Sequence, residues 1–253
     1  MIRKRAVRVL RRRATLPITC RQRRTTELSP IRRWARCGRW GASSVSLLIA
    51  TANLAKAREC RQILASEVGN FLDLSAYPAA VTVEETGQTF LQNACLKAVG
   101  YARQSGADWT LADDSGLEVD ALGGAPGVYS ARWAHRRGLI PPTANADADN
   151  NATLLRELAD IPADRRQARF VCVLALADSL GQVIATVRRT IEGVMLGEPR
   201  GNNGFGYDPL FFVPKWGKTT AELAPAEKNR ISHRGQALAR LSEIIAERNW
   251  PIF

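Results

Sequence analysis

Asp113 and Asp114, followed directly by Ser115 and Gly116, are the residues of this chain best suited to chemistry. Adjacent carboxylates can hold a hard cation, or act as a general base and its support. They close a short apolar run, Trp109–Ala112, that reads as a strand. In α/β sheets, ligands gather outside the carboxyl ends of strands. Taken alone, Asp-Asp-Ser-Gly is equally an Asx-type turn with two solvated acids.

Three further clusters bear on the choice. Thr51-Ala52-Asn53-Leu54-Ala55-Lys56 lies between a strand-like run, Ser46–Thr51, and a helical stripe. A helix N-terminus favours anions, and Lys56 adds a full positive charge. The P-loop pattern GxxxxGK[ST] is absent, and an Asn cap followed by a solvated lysine is the simpler account of the turn by itself. Glu84 and Glu85 precede a helix carrying Asn93 and Lys97, i,i+4 neighbours on one face. A carboxylate at 84 or 85, added to Asp113 and Asp114, supplies the oxygen ligands Mg²⁺ prefers, with water and phosphate completing its shell. Finally, Glu227–Gly235 opens the last helix, with Ser232 as N-cap and His233 and Arg234 in the first turn. Cations there oppose the helix dipole, a local violation expected where function outranks stability. Phe205-Gly206-Tyr207-Asp208 offers an aromatic face and polar groups for reading a base, although Phe205 reads equally as a core residue in a tight turn.

The elements that position these groups alternate. Ala57, Cys60, Leu64 and Val68 recur at helical spacing, as do Phe90, Ala94, Ala98 and Tyr101 after a capping-box signature, Thr89 with Gln92. A helix is predicted over Asn151–Ala159, long strands over Ala168–Ala177 and Gln182–Val194, and a last helix over Arg234–Arg248. Residues 197–206 are Gly-rich and irregular. The pattern is mixed α/β, one domain with two lobes.

The net charge of +12 is carried by one end. Residues 1–40 hold 14 of the 36 Lys+Arg against a single acid, Glu27, and the remainder has 22 basic and 23 acidic residues. We expect residues 1–43 to be a basic, disordered extension, dispensable or read from a start too far upstream, and 44–253 to be the folded domain. Contact between that head and nucleic acid is the less favoured reading. Cys20, Cys37, Cys60, Cys95 and Cys172 form no CxxC pair, and His135 and His233 are the only histidines, so neither a zinc site nor a disulfide framework is indicated. No apolar run approaches the ~20 residues of a membrane span, and a cytoplasmic protein is expected.

Taken in order, IATANLAKARE, EETGQTFLQNACLKA, ADDSGLEVDALGGAPGVYSARWA, ARFVCVLALA, GFGYDPLF and GKTTAELAPAEKNRISHRGQAL resemble the RdgB-like inosine/xanthosine triphosphate pyrophosphatases. The resemblance runs from Ser46 to Leu241. It implies an elongated mixed sheet flanked by helices, with substrate in a central cleft between two lobes, and a homodimer. It also implies Mg²⁺-dependent hydrolysis of ITP, dITP and XTP to monophosphate and pyrophosphate. Residue by residue, it places the triphosphate on Thr51 to Lys56 and on Lys97, and the metal on Glu85, less so on Glu84. Asp114 becomes the general base, also touching the metal, with Asp113 in support and Ser115 on the substrate. Base recognition falls to Phe205, Gly206, Tyr207, Asp208, Lys228, His233 and Arg234. The chain departs from the family pattern at Ala52 and Ala55, where glycines are usual. Glycine lets a backbone approach phosphate closely, so weaker affinity is expected there unless both positions have ordinary dihedrals. The related Maf-type pyrophosphatases are the alternative, but their Ser-x-Ser-Pro-Arg-Arg signature is missing from Ala50–Lys56.

Overall fold

The computed structural model describes residues 45–65, 68–139 and 141–250, so the expected extension 1–43 lies outside them. In chain order the elements are β1 (Ser46–Ile49), α1 (Leu54–Leu64), β2 (Asn70–Asp73), α2 (Phe90–Ser105), β3 (Trp109–Val119), α3 (Trp133–Arg137) and α4 (Ala146–Glu157). There follow β4 (Gln167–Asp178), β5 (Val183–Met195), β6 (Phe211–Val213), β7 (Lys218–Thr219), α5 (Pro225–Ile231) and α6 (His233–Glu247). No described helix is long and apolar enough to cross a membrane.

One seven-stranded sheet has the order β2-β1-β3-β4-β5-β6-β7. β1 is parallel to β2 and β3, and the remaining neighbours are antiparallel. This is the mixed α/β sheet flanked by helices that the sequence predicts. α2 starts where its capping box places it, with Thr89 and Gln92 satisfying each other's backbone. It ends on Gly106 at φ 65, a left-handed cap that glycine adopts without a Cβ penalty.

Strand alternation divides the core. Leu47, Leu111 and Leu174 face α1 and α6, whereas Leu48, Ala112 and Val173 face α2. Further along the same strands, Leu117 and Phe170 join a third cluster with Leu154 of α4 and Phe211 of β6. Two lobes therefore share one ladder of long strands, and Asp113 to Ser115 fall between Leu111 of one and Leu117 of the other.

The acidic doublet corrects the sequence reading. Asp113 and Asp114 do not follow a strand; they lie inside β3, opposite Leu174 and Val173 of β4. The twelve-residue β4 pairs along the whole of β3, and that ladder overrides the turn propensity of Asp-Ser-Gly. It is β1 that ends here: it pairs with β3 only as far as Leu111, which leaves the outer edge of β3 without a strand partner from Ala112 until the turn around Pro126 and Ser130 covers it at Gly116 to Val119. The rule about carboxyl ends of strands thus applies to β1 and its turn, not to β3. Predicted boundaries shift elsewhere too, since α1 stops at Leu64, short of Val68 in the predicted stripe, and α4 begins at Ala146 rather than Asn151, capped by Asn145.

Gly116 lets the turn Gly127–Arg132 lie directly on β3. A Cβ at this position would meet Ser130 Oγ, and Gly127 O at 2.7 Å. Gly116→Ala should therefore destabilise the fold by about 1–3 kcal/mol, the usual cost of overpacking, as read by urea unfolding. An unchanged midpoint would show that the turn moves away freely.

Candidate active site

β1 delivers the chain into Thr51–Asn53, and Asn53 caps α1, accepting from Ala55 N at 3.0 Å and Lys56 N at 3.1 Å. Thr51 Oγ1 accepts from Asn53 N at 3.1 Å. Ala52 and Leu54 are exposed. Among described residues other than glycine, only Asn249 has positive φ, so Ala52 and Ala55 occupy ordinary backbone and their methyls cause no strain. The helix then aims Lys56 at Asp113, Nζ to Oδ1 at 2.6 Å.

Asp113 faces α1 and α6 and is saturated with donors. Besides Lys56, Ser115 Oγ donates at 3.0 Å, Arg234 Nε at 3.0 Å and Cys172 Sγ at 3.1 Å. Burial alone would raise this carboxyl, but Arg234 and Lys56 outweigh it and hold Asp113 well below the usual carboxylate range. It is an anion committed to organising its neighbours.

Asp114 faces the other side of the sheet. Lys97 Nζ reaches its Oδ1 at 3.2 Å and Glu85 at 3.3 Å, whereas Asp114 Oδ2 is buried without a hydrogen-bond partner among the described residues. Burial pushes Asp114 up to about 6 despite Lys97 and Lys56, with Glu85 and Asp113 adding repulsion. Burial would lower Lys97, but Asp114 and Glu85 reverse that and keep it charged. Glu84 is exposed and pairs with no described residue. An orphan carboxylate oxygen with Glu85 alongside fits a hard divalent cation, whereas Asp113 has no lone pair to spare.

The remaining residues form a chain of buried charge. Arg234 pairs with Asp113 and Glu59, Nη2 donates to Ser115 Oγ at 2.8 Å, and Glu59 takes Lys228 Nζ at 3.0 Å. Lys228 continues to Asp208 Oδ2 at 2.7 Å, whose other oxygen accepts from Thr220 Oγ1 at 2.8 Å. Above it lies the Phe205 ring, 4.7 Å from Lys228 Nζ and 5.7 Å from Arg234 Cζ, with Phe205 N donating to Asp208 Oδ2 at 2.8 Å. α5 carries Lys228, and Ser232, the cap of α6, sets His233 and Arg234 at its start. Arg234 does not strain that helix end, because Asp113 and Glu59 offset its charge. Burial, with Arg234 adjacent, holds His233 well below its ordinary value, so it is neutral; it stacks on Phe170 at 5.0 Å, with no partner for Nδ1 among the described residues.

The structure thus brings Lys56, Glu85, Lys97, Asp113, Asp114, Ser115, Phe205, Asp208, Lys228 and Arg234 into linked contacts, while Thr51 to Ala55, Gly206 and His233 lie on the adjoining turns and helix start and two predicted residues lie apart. Glu84 stands apart, and Tyr207 belongs to the third core cluster, its hydroxyl on Ser130 O at 2.8 Å. Sequence reasoning gave no role to Glu59, which joins Arg234 to Lys228, or to Cys172. The signal for Glu59 was available: it lies three residues after Lys56 and beside the buried Cys60, hence near the core-facing side of α1. Cys172 gave none, since a thiol in an apolar strand reads as core.

The Ham1 family model matches residues 47–244 of this chain. A protein called dITP/XTP pyrophosphatase from Exiguobacterium sibiricum is 50% identical over 197 residues, 78% of this chain and 95% of that protein. Its namesake from Geobacillus kaustophilus is 48% identical, covering 78% and 92%. Among solved structures, a HAM1 protein from Coxiella burnetii aligns with TM-score 0.70 and 40% identity over 80% of this chain and 99% of its own. This chain belongs to the Ham1 family.

Proposed function

We propose that this chain hydrolyses non-canonical purine nucleoside triphosphates, ITP, dITP and XTP, to the monophosphate and pyrophosphate. The observation that carries the reading is Asp114: a buried carboxylate held by Lys97 through one oxygen, the other without a partner among the described residues, where β3 has lost β1 as its neighbour. The names of the relatives from Exiguobacterium sibiricum and Geobacillus kaustophilus support the substrate class.

Asp114 accepts a proton from a water whose oxygen attacks the α-phosphorus, and the bond to the bridging oxygen breaks to release pyrophosphate. Burial raises the Asp114 carboxyl above an exposed aspartate, which makes it the better proton acceptor of the doublet. Lys56, Lys97 and the N-terminus of α1 offset the phosphate charge. Four cations here, Lys56, Lys97, Lys228 and Arg234, already face five carboxylates, Glu59, Glu85, Asp113, Asp114 and Asp208. A triphosphate of about four negative charges therefore needs added positive charge. Asp114 and Glu85 would hold Mg²⁺, which supplies it by polarising phosphoryl oxygens. Phe205 stacks on the base, while Lys228, Asp208, His233 and Arg234 stand where edge groups are read. A site that donates to a 6-oxo group leaves a polar group unpaired against the 6-amino group of adenine, which rejects ATP. The family resemblance adds a cytoplasmic homodimer to this reading.

Pyrophosphate release from ITP, XTP, dITP, GTP, ATP and dTTP, with and without Mg²⁺, tests it. Metal-dependent turnover of ITP and XTP well above GTP and ATP is expected. Preference for dTTP would move the assignment to a Maf-type activity, and no release from any of the six would refute it.

A further inference from the structure

Gly206 connects Phe205, whose ring covers Lys228 and Arg234, to the buried Tyr207-Asp208 pair. Both polar groups of this one glycine are held by α4. Asp147 Oδ2 accepts from Gly206 N at 2.7 Å, and Asn151 Nδ2 donates to Gly206 O at 2.9 Å. Asp147 and Asn151 are i,i+4 neighbours, so both project from one face of the helix. The conformation they grip, φ 62, is one that only glycine takes without strain. α4 does not need Asp147 for its own start, because Asn145 already caps it, accepting from Ala148 N at 3.1 Å. On the other flank, the Phe205 amide is fixed by Asp208 and the Tyr207 hydroxyl by Ser130. The aromatic residue therefore sits on a short backbone segment clasped at both ends, and one of those clasps is a helix outside the charge cluster.

We propose that Asp147 and Asn151 are positioning residues for nucleobase recognition: by gripping both polar groups of Gly206, they set where the Phe205 ring and the backbone of 205–208 meet the base. This rests on the pyrophosphatase reading above. Asp147 is exposed and Asn151 half-buried, so truncating either leaves the core intact.

The test compares Asp147→Ala, Asn151→Ala and Asp147→Asn with the wild-type chain, using ITP as substrate and inorganic triphosphate, which has the phosphate chain but no base, as inhibitor. Each alanine variant should raise KM for ITP about 3- to 10-fold, the worth of one hydrogen bond. In both, kcat should stay within about twofold and inhibition by inorganic triphosphate should be unchanged. Asp147→Asn, which keeps an acceptor oxygen, should restore KM. Wild-type KM in both alanine variants, or equal weakening toward ITP and inorganic triphosphate, would overturn the inference alone. A wild-type chain that turns over no purine triphosphate would remove the substrate reading and this inference with it.

Discussion

At saturating Mg²⁺, Asp114→Asn is expected to lower kcat by about 10²-fold or more while leaving KM near that of the wild type. The amide is nearly isosteric and can still accept from Lys97 through oxygen, so with excess Mg²⁺ to offset the lost carboxylate ligand the substrate should be held nearly as before. What it lacks is a basic oxygen where Asp114 Oδ2 lies buried and unpartnered. Near-wild-type turnover would exclude Asp114 as the base. The same variant should be the more stable protein when metal and substrate are absent. Asp114 holds its proton more tightly folded than unfolded, about 6 against an ordinary 3.8. The stability it contributes is therefore complete below 3.8 and lost as pH rises through 6. At pH 7.5 the asparagine variant should melt above the wild type, and near pH 4 that difference should nearly vanish. Equal melting at both pH values would show that the buried carboxylate is not strained.

Arg234→Met is expected to cost about 3–5 kcal/mol of stability, the usual penalty for removing one partner of a buried ion pair. Arg234 is 2% exposed and engages Asp113, Glu59 and Ser115 together. Methionine fills much of the volume but leaves buried Asp113 and half-buried Glu59 short of their counter-charge. For a domain of this size the melting temperature should drop by roughly 10 °C, and turnover should fall with it as Asp113 loses its hold on Lys56 and Ser115. A melt within a degree or two of wild type would mean that water or Lys228 takes over, and that the charge chain is not structural.

These effects could be read from the sequence only in part, and the reasons differ by element. α2 was legible throughout because two local signals agreed, a capping box and an apolar stripe. β3 was legible only as far as Ala112, because its next residues favour turns; what keeps them extended is β4, whose residues come more than fifty positions later. β2, β6 and β7 are four residues or fewer, too short to show a period, and α5 has only seven residues, beginning with Pro225. The types of the site residues were recognisable, but their pairing was not. Lys56 meets Asp113 across 57 positions and Arg234 meets Asp113 across 121. No window on the chain contains such a pair, and nothing local distinguishes the saturated carboxylate from its orphaned neighbour. Only the alternation of β3 separates them.

The long reach of Arg234 has a consequence for biosynthesis. Its partner Glu59 lies 175 positions earlier and Asp113 lies 121 earlier, so these acids emerge from the ribosome well before the cation that covers them. At ordinary elongation rates, Asp113 waits on the order of ten seconds for Arg234. During that interval β1, α1 and β3 can form, but the negative charge meant for the interior stays in water. The last lock on the nascent enzyme is set by α6, and a ribosome that stalls before it leaves a chain with its strands made and its reactive centre unassembled.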